Sequence, residues 1–217
     1  MRIAVLANGS WDLAWGSRFL ENVDYLICAD GGADHALDSG RMPDMLVGDL
    51  DSVSEIALKK CTDAGCVIRR VPGEKDQTDL ELALGEAEKQ AVLAGAGDIW
   101  LLGAAGGRHD HFLGNIALLL AFARKGYRVR MADAGQEIWV VRSEERIRGK
   151  AGQKLSLLAL SEEASLTTEG LYYPLIRGVL RQDSSLGLSN VFLGEEAKLQ
   201  IHSGWVLAVL TTASEAL

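Results

Sequence analysis

The 217-residue chain is 48% hydrophobic and 24% charged, enough apolar material for one large core or two small ones, which excludes a disordered chain. Its formal charge of −8 argues against nucleic acid or an anionic membrane as partner, because both are held through basic side chains that displace counterions. A small phosphate-bearing substrate carried with a metal ion is compatible with that balance.

The first ten residues carry a short apolar run before a turn and read as a β-strand, not as a secretory leader. The longest apolar stretch, 112–123, is broken by Gly114 and Asn115 and falls short of the roughly 20 residues of a membrane span. A cytoplasmic location is expected. Cys28, Cys61 and Cys66 are odd in number and lack the paired spacing of a zinc site, so they read as buried or incidental thiols. Short β-rich runs at 3–6, 25–29, 45–47, 66–70, 99–102 and 128–132 alternate with helical periodicity at 33–39, 54–64, 79–94 and 111–125. That alternation predicts a parallel sheet wrapped by helices. After about residue 134 the pattern turns to β-branched and aromatic runs, at 138–141, 155–159 and 205–211, separated by glycine-containing turns. An antiparallel β domain is predicted there. Gly135 with Gln136 marks the joint, giving domains 1–134 and 135–217.

The aspartates follow the same division, with 14 of 15 in residues 1–133 and only Asp183 beyond, so acid chemistry belongs to the first domain. Many of them must cap helices or close turns. Gly48-Asp49-Leu50-Asp51-Ser52 resists that explanation best. Its two carboxylates stand two apart at the end of an apolar strand and point the same way if the backbone stays extended. Such a pair repels unless a cation lies between, and magnesium takes one or two carboxylates plus substrate phosphates. Asp51 or Ser52 would alternatively cap the helix that starts near Ser54.

Lys75-Asp76-Gln77-Thr78-Asp79 precedes an amphipathic helix. Asp76 or Thr78 suits its N-cap and Asp79 its first turn, where the helix dipole favours negative charge. Capping leaves Lys75 unexplained, and an ammonium beside metal-binding acids is a natural phosphate partner. Further on, Gly106-Gly107-Arg108-His109-Asp110 joins a strand to a helix. Glycines there let backbone N–H groups approach phosphate oxygens, and the helix N-terminus adds positive potential. Arg108 suits a forked phosphate contact and Asp110 a metal ligand. The turn matches neither the Walker A pattern nor the dinucleotide fingerprint. His109 and His111 without further Cys or His ligands read as polar surface, not as zinc ligands.

These motifs, with Ala29-Asp30-Gly31-Gly32-Ala33 before them and Gly170-Leu171-Tyr172-Tyr173-Pro174-Leu175 and Ser189-Asn190 after, occur in the order seen in thiamine pyrophosphokinases. The chain resembles that family along nearly its whole length. The resemblance implies an α/β catalytic domain that binds ATP and magnesium, a β-sandwich domain that binds thiamine, and a homodimer with active sites where subunits meet. It makes Asp49, Asp51 and Asp79 the magnesium and diphosphate-site acids, with manganese an acceptable substitute and Asp76 and Asp110 close by. Asp30 would shape the nucleotide pocket. Lys75, Arg108, Gly106 and Gly107 would hold phosphates, and Ser189 with Asn190 would meet thiamine from the partner subunit. Tyr173 stands where some relatives carry tryptophan, which keeps an aromatic surface against the vitamin, while sandwich core or plain surface is the other reading of Tyr172 and Tyr173. The implied reaction moves the terminal diphosphate of ATP onto the thiamine hydroxyl and releases AMP. Two rivals remain at this level. Asp49 and Asp51 suit the nucleophile and acid/base of a haloacid-dehalogenase-type phosphatase, and a nucleotide- or thiamine-sensing module would keep the pocket without turnover.

Overall fold

The computed structural model describes residues 1–95 and 98–212 and divides into two compact units, Met1–Ala134 and a second that begins at Gly135. The first unit alternates strand and helix: β1 (Arg2–Leu6), α1 (Leu13–Leu20), β2 (Tyr25–Ala29), α2 (Gly32–Asp38), β3 (Met45–Gly48), α3 (Glu55–Asp63), β4 (Val67–Arg70), α4 (Asp79–Leu93), β5 (Asp98–Leu102), α5 (His109–Lys125) and β6 (Val129–Ala132). All strand pairs within this unit are parallel, in the order β6-β5-β1-β2-β3-β4. Past Arg2 and Asp98 at the starts of β1 and β5, the central strands are apolar because both of their faces are covered. Ala4, Leu6, Leu26, Cys28, Leu46 and Leu102 pack with Leu20, Ala33, Ala36 and Cys61 from α1, α2 and α3. Ile3, Val5, Ile27, Val47, Ile99 and Leu101 alternate with them and are equally buried, and α4 lies against β1, β2 and β3.

The predicted strands and helices of this unit are all present, with bounds shifted by at most two residues. Helix α1 was not predicted. It begins where the Asp12 carboxylate accepts a hydrogen bond from Trp15 N at 2.8 Å. Its periodicity is masked in the sequence by Gly16, a buried position with no side chain. A Cβ there would stand 2.0 Å from Cζ2 of Trp11, so the glycine makes room for the indole. The three thiols are free, as expected, with Cys28 and Cys61 buried; burial pushes all three above their ordinary pKa, Cys66 to about 12.

The second unit is a β-sandwich. One sheet runs β12 (Asn190–Val191), β9 (Lys154–Ala159), β14 (Val206–Thr211), β7 (Gln136–Val141), and the other runs β11 (Gly178–Arg181), β10 (Glu163–Glu169), β13 (Glu196–Ser203), β8 (Glu144–Arg148). Neighbouring strands in both are antiparallel. Buried and partly exposed residues alternate along β9 and β10, the period that lets each sheet turn one face inward. Trp139, Leu155, Leu157 and Val206 of one sheet meet Ile147, Leu166, Leu180 and Leu199 of the other in a shared core. No helix among the described residues is long and apolar enough to cross a membrane.

Candidate active site

Open parallel sheets bind ligands beyond the carboxyl ends of their strands, where the strand order reverses. Here the chain steps outward from β1 through β2, β3 and β4, then returns to place β5 on the other side of β1. The loops leaving β1 to β5 line a single cleft of about 770 Å³. Asn8 and Gly9 follow β1, Asp30 follows β2, Asp49 and Asp51 follow β3, Lys75 and Asp79 lie between β4 and α4, and Gly106 to Arg108 follow β5. The β1 and β5 loops touch through backbone. Gly9 N donates to Gly103 O at 2.8 Å, and a Cβ on Gly9 would stand 2.3 Å from that oxygen. Helices α4 and α5 start at the cleft, so their N-terminal N–H groups add positive potential there.

The acids are positioned by backbone that the sequence pattern did not foresee. Strand β3 ends at Gly48, and Leu50 adopts φ 69°. Asp49 and Asp51 therefore do not project alike from an extended strand, which corrects the geometry expected of them. Asp51 is exposed, its N donates to Asp49 Oδ1 at 3.2 Å, and its Oδ1 accepts from Ser52 Oγ at 2.8 Å. Neither Asp51 nor Ser52 caps α3, because Ser54 does so through Ala57 N. Asp30 also has a left-handed backbone, φ 47°, a conformation Asp tolerates better than most residues. It swings the Asp30 carboxylate towards Asp49 and Asp79, and one oxygen from each of the three lies within 4.8 Å of the others. The tight triad thus takes Asp30 where the sequence reading placed Asp51. Thr78, not Asp76, caps α4; Asp79 enters its first turn and faces the cleft, while Asp76 is exposed and does not line it.

Asp30 Oδ1 is buried without a hydrogen-bond partner among the described residues, a costly state for a carboxylate unless a cation completes it. Burial pushes the Asp30 pKa up, and the charges of Asp51 and Asp79 add to the rise. Lys75 supplies the counter-charge, its Nζ lying 2.9 Å from Asp79 Oδ1 and 3.8 Å from Asp49 Oδ2. Hydrogen bonding to Asp79 raises the Lys75 pKa in turn. Among the described residues, the grouping able to hold a metal consists of carboxylates alone, hard oxygen donors that suit magnesium better than zinc.

At the glycine-rich turn, Gly106 and Gly107 have φ 82° and 75°, a region that leaves their N–H groups free to turn towards a ligand. Arg108 and Asp110 pair with each other, Nη2 to Oδ2 at 2.5 Å and Nε to Oδ1 at 3.2 Å. That forked bond holds the Asp110 carboxyl down to about 2. Asp110 is exposed and lies outside the cleft lining and the triad. The sequence reading did not single out Asn8, Gln77, Asn115 or the cleft-lining position of His111. Asn115 Nδ2 donates to Ala104 O at 2.9 Å and steadies the turn; its one signal was a polar residue inside an apolar helical run.

Ser189, Asn190 and Tyr173 belong to the second unit. Ser189 is exposed with φ 55°, Tyr173 is exposed, and Asn190 is buried.

Two family models match this chain. "Thiamin pyrophosphokinase, catalytic domain" covers residues 17–131, and "Thiamin pyrophosphokinase, vitamin B1 binding domain" covers residues 139–206. The chain is similar to thiamine pyrophosphokinase of Bacillus subtilis (strain 168), 33% identical over 190 residues that make up 86% of each protein. It is also similar to thiamine pyrophosphokinase 1 of Oryza sativa subsp. japonica, 26% identical over 84% of this chain and 77% of that one. Among solved structures, thiamine pyrophosphokinase from Bacillus subtilis superposes with a TM-score of 0.86 at 27% identity, covering 99% of this chain and all of the other. The Candida albicans structure shares the fold at 18% identity, with a TM-score of 0.83 over 97% of this chain and 88% of that one.

Proposed function

This chain belongs to the thiamine pyrophosphokinase family and, as an enzyme that transfers the diphosphate of ATP to thiamine, we propose that it does so with the Asp30, Asp49, Asp79 and Lys75 cluster at its centre. The observation that carries this reading is that cluster, three converging carboxylates with one buried unpartnered oxygen, beside a glycine-rich helix start. The donor set fits magnesium, with Asp30, Asp49 and Asp79 holding it. When bound, the ion supplies positive charge against the diphosphate oxygens.

Thiamine offers a primary hydroxyl, a poor nucleophile at neutral pH, and AMP departs when that oxygen attacks the β-phosphorus. The transition state of phosphoryl transfer is loose, so alignment and charge neutralisation dominate. Lys75 neutralises spreading negative charge from inside the cleft. The N–H groups of Gly106 and Gly107 cradle phosphate oxygens, and Arg108 exchanges its exposed partner Asp110 for a phosphate. Asp51 lines the cleft outside the triad and accepts the hydroxyl proton as the bond forms. Asp76 acts only from the surface, through its charge. Ser189 and the Tyr172 and Tyr173 rings meet thiamine. We assign a cytoplasmic location, consistent with the acidic composition, and a homodimer with each thiamine shared between subunits. The exposed apolar side chains of Ile176, Leu186, Leu188 and Leu193 support an association surface on the second unit. Incubation with ATP, magnesium and thiamine should give thiamine diphosphate and AMP in equal amounts. ADP or inorganic phosphate as the product would overturn the assignment.

A further inference from the structure

The segment between Gly170 and Gly178 carries two large aromatic side chains outside the sandwich core, yet its backbone is pinned at almost every step. Tyr172 N donates to Val191 O at 2.8 Å. Tyr173 N donates to Asn190 Oδ1 at 3.0 Å, and Asn190 Nδ2 returns a bond to Tyr173 O at 2.8 Å. Beyond Pro174, Leu175 N donates to Thr168 Oγ1 at 2.9 Å and Arg177 N to Thr167 Oγ1 at 3.1 Å. Thr168 and Asn190 are themselves buried, 2% and 4% exposed. The rings held this way are 62% and 63% exposed and meet edge to face, with centroids 4.9 Å apart and planes at 82°.

Asn190 has little left for a ligand. Its Oδ1 also accepts from Val191 N at 2.9 Å, so both lone pairs and one Nδ2 hydrogen are used inside the protein. The amide orientation is forced, because a flipped group would face two N–H donors with its own hydrogens. We infer that Asn190, backed by Thr168, is a positioning residue that locks Tyr173, whose ring lies edge to face with Tyr172, into a preformed docking surface for thiamine and makes no contact with the vitamin itself. The chemistry matches: a planar pyrimidine and a cationic thiazolium are what aromatic faces and edges attract, and a surface rigid before binding loses less entropy on binding. The inference rests on the thiamine reading given above.

A double-mutant cycle with hydrogen exchange tests it. Asn190→Ala should raise KM for thiamine about tenfold, leave KM for ATP unmoved and change kcat by less than about threefold. Tyr173→Ala should do at least as much, and the double variant should be no worse than Tyr173→Ala, because a residue acting only through Tyr173 has nothing further to lose. Effects that multiply would place Asn190 on thiamine directly and overturn the inference, as would an unchanged KM in Tyr173→Ala. The near-isosteric Thr168→Val, which keeps the fold if Asn190→Ala does not, should raise KM for thiamine about threefold; an unchanged value there also overturns it. Without any substrate, the Tyr173 amide should exchange at least about tenfold faster in Asn190→Ala than in the wild type, and equal rates would refute the clamp. A wild-type protein that makes no thiamine diphosphate would refute the thiamine reading instead, while the exchange arm still decides the clamp.

Discussion

Replacing Asp30 with Asn should stabilise the metal-free protein and abolish its activity together. The substitution suits the backbone, since Asn accepts the left-handed φ of 47° as readily as Asp does. Asp30 has Asp49 and Asp79 within 4.8 Å, a distance at which one like-charge pair costs about 1 kcal/mol in water and about 3.5 kcal/mol at an effective dielectric of 20. Lys75 offsets part of the repulsion by pairing with Asp79 and Asp49. A net relief of about 1–3 kcal/mol remains, which for a chain of this length raises the melting temperature by about 3–9 °C. The assay is thermal melting in chelator and again with excess magnesium. Ligand at a hundredfold its Kd stabilises by about 2.7 kcal/mol, so the wild type should gain that shift, the Asp30→Asn variant should lose most of it, and kcat should fall at least about a hundredfold. The pH dependence follows from the raised Asp30 pKa. The folded state binds this proton more tightly than the unfolded chain, so the Asp30 contribution is fully present below the ordinary value of 3.8 and is lost as pH rises through the raised one. The advantage of Asp30→Asn should therefore vanish below that ordinary value, widen above it and level off. A variant that melts no higher than wild type in chelator at neutral pH, or that keeps the full magnesium shift, would refute the reasoning.

Asp49→Asn and Asp79→Asn should each lower turnover by about two orders of magnitude or more with the fold intact by circular dichroism, as expected when a charge that positions a metal is lost. Chelated enzyme should recover with magnesium or manganese and not with zinc; recovery with zinc alone would redirect attention to His109 and His111. Gly9→Ala should impair activity and lower the melting temperature, because its Cβ would meet Gly103 O at 2.3 Å and backbone on both sides of the cleft would have to move; a wild-type melt would show that the loops yield freely. Mixing Asp49→Asn with Ser189→Ala/Asn190→Ala under subunit exchange should restore up to about half the wild-type activity per heterodimer, since both lesions fall in one of two equivalent sites. No recovery after exchange is confirmed by mass measurement would rule out a shared site.

Much of the fold was legible because the parallel sheet is buried on both faces, so 3–6, 25–29 and 99–102 read as unbroken apolar runs between helical stretches. The motifs also announced the cleft, because a βα unit delivers whatever follows its strand to the same end of the sheet. Chain order alone could therefore group Asp30, Asp49, Asp79 and Gly106 before any distance was known. Other features depended on tertiary structure. Helix α1 was hidden because its buried position is Gly16, whose value lies in the space it leaves for Trp11. The exchange of Asp51 for Asp30 in the triad turns on two left-handed residues, Asp30 and Leu50, and backbone sign at a non-glycine residue leaves no periodic trace. Asp110 was withdrawn by Arg108, two residues away and free to fold back on it. The sequence determines which residues can be acids, caps or aromatic surfaces through their chemistry and spacing. Which of them meet is decided by loop conformations and partners that only the packed chain selects, as Asn190 shows by using its amide on Tyr173 and Val191.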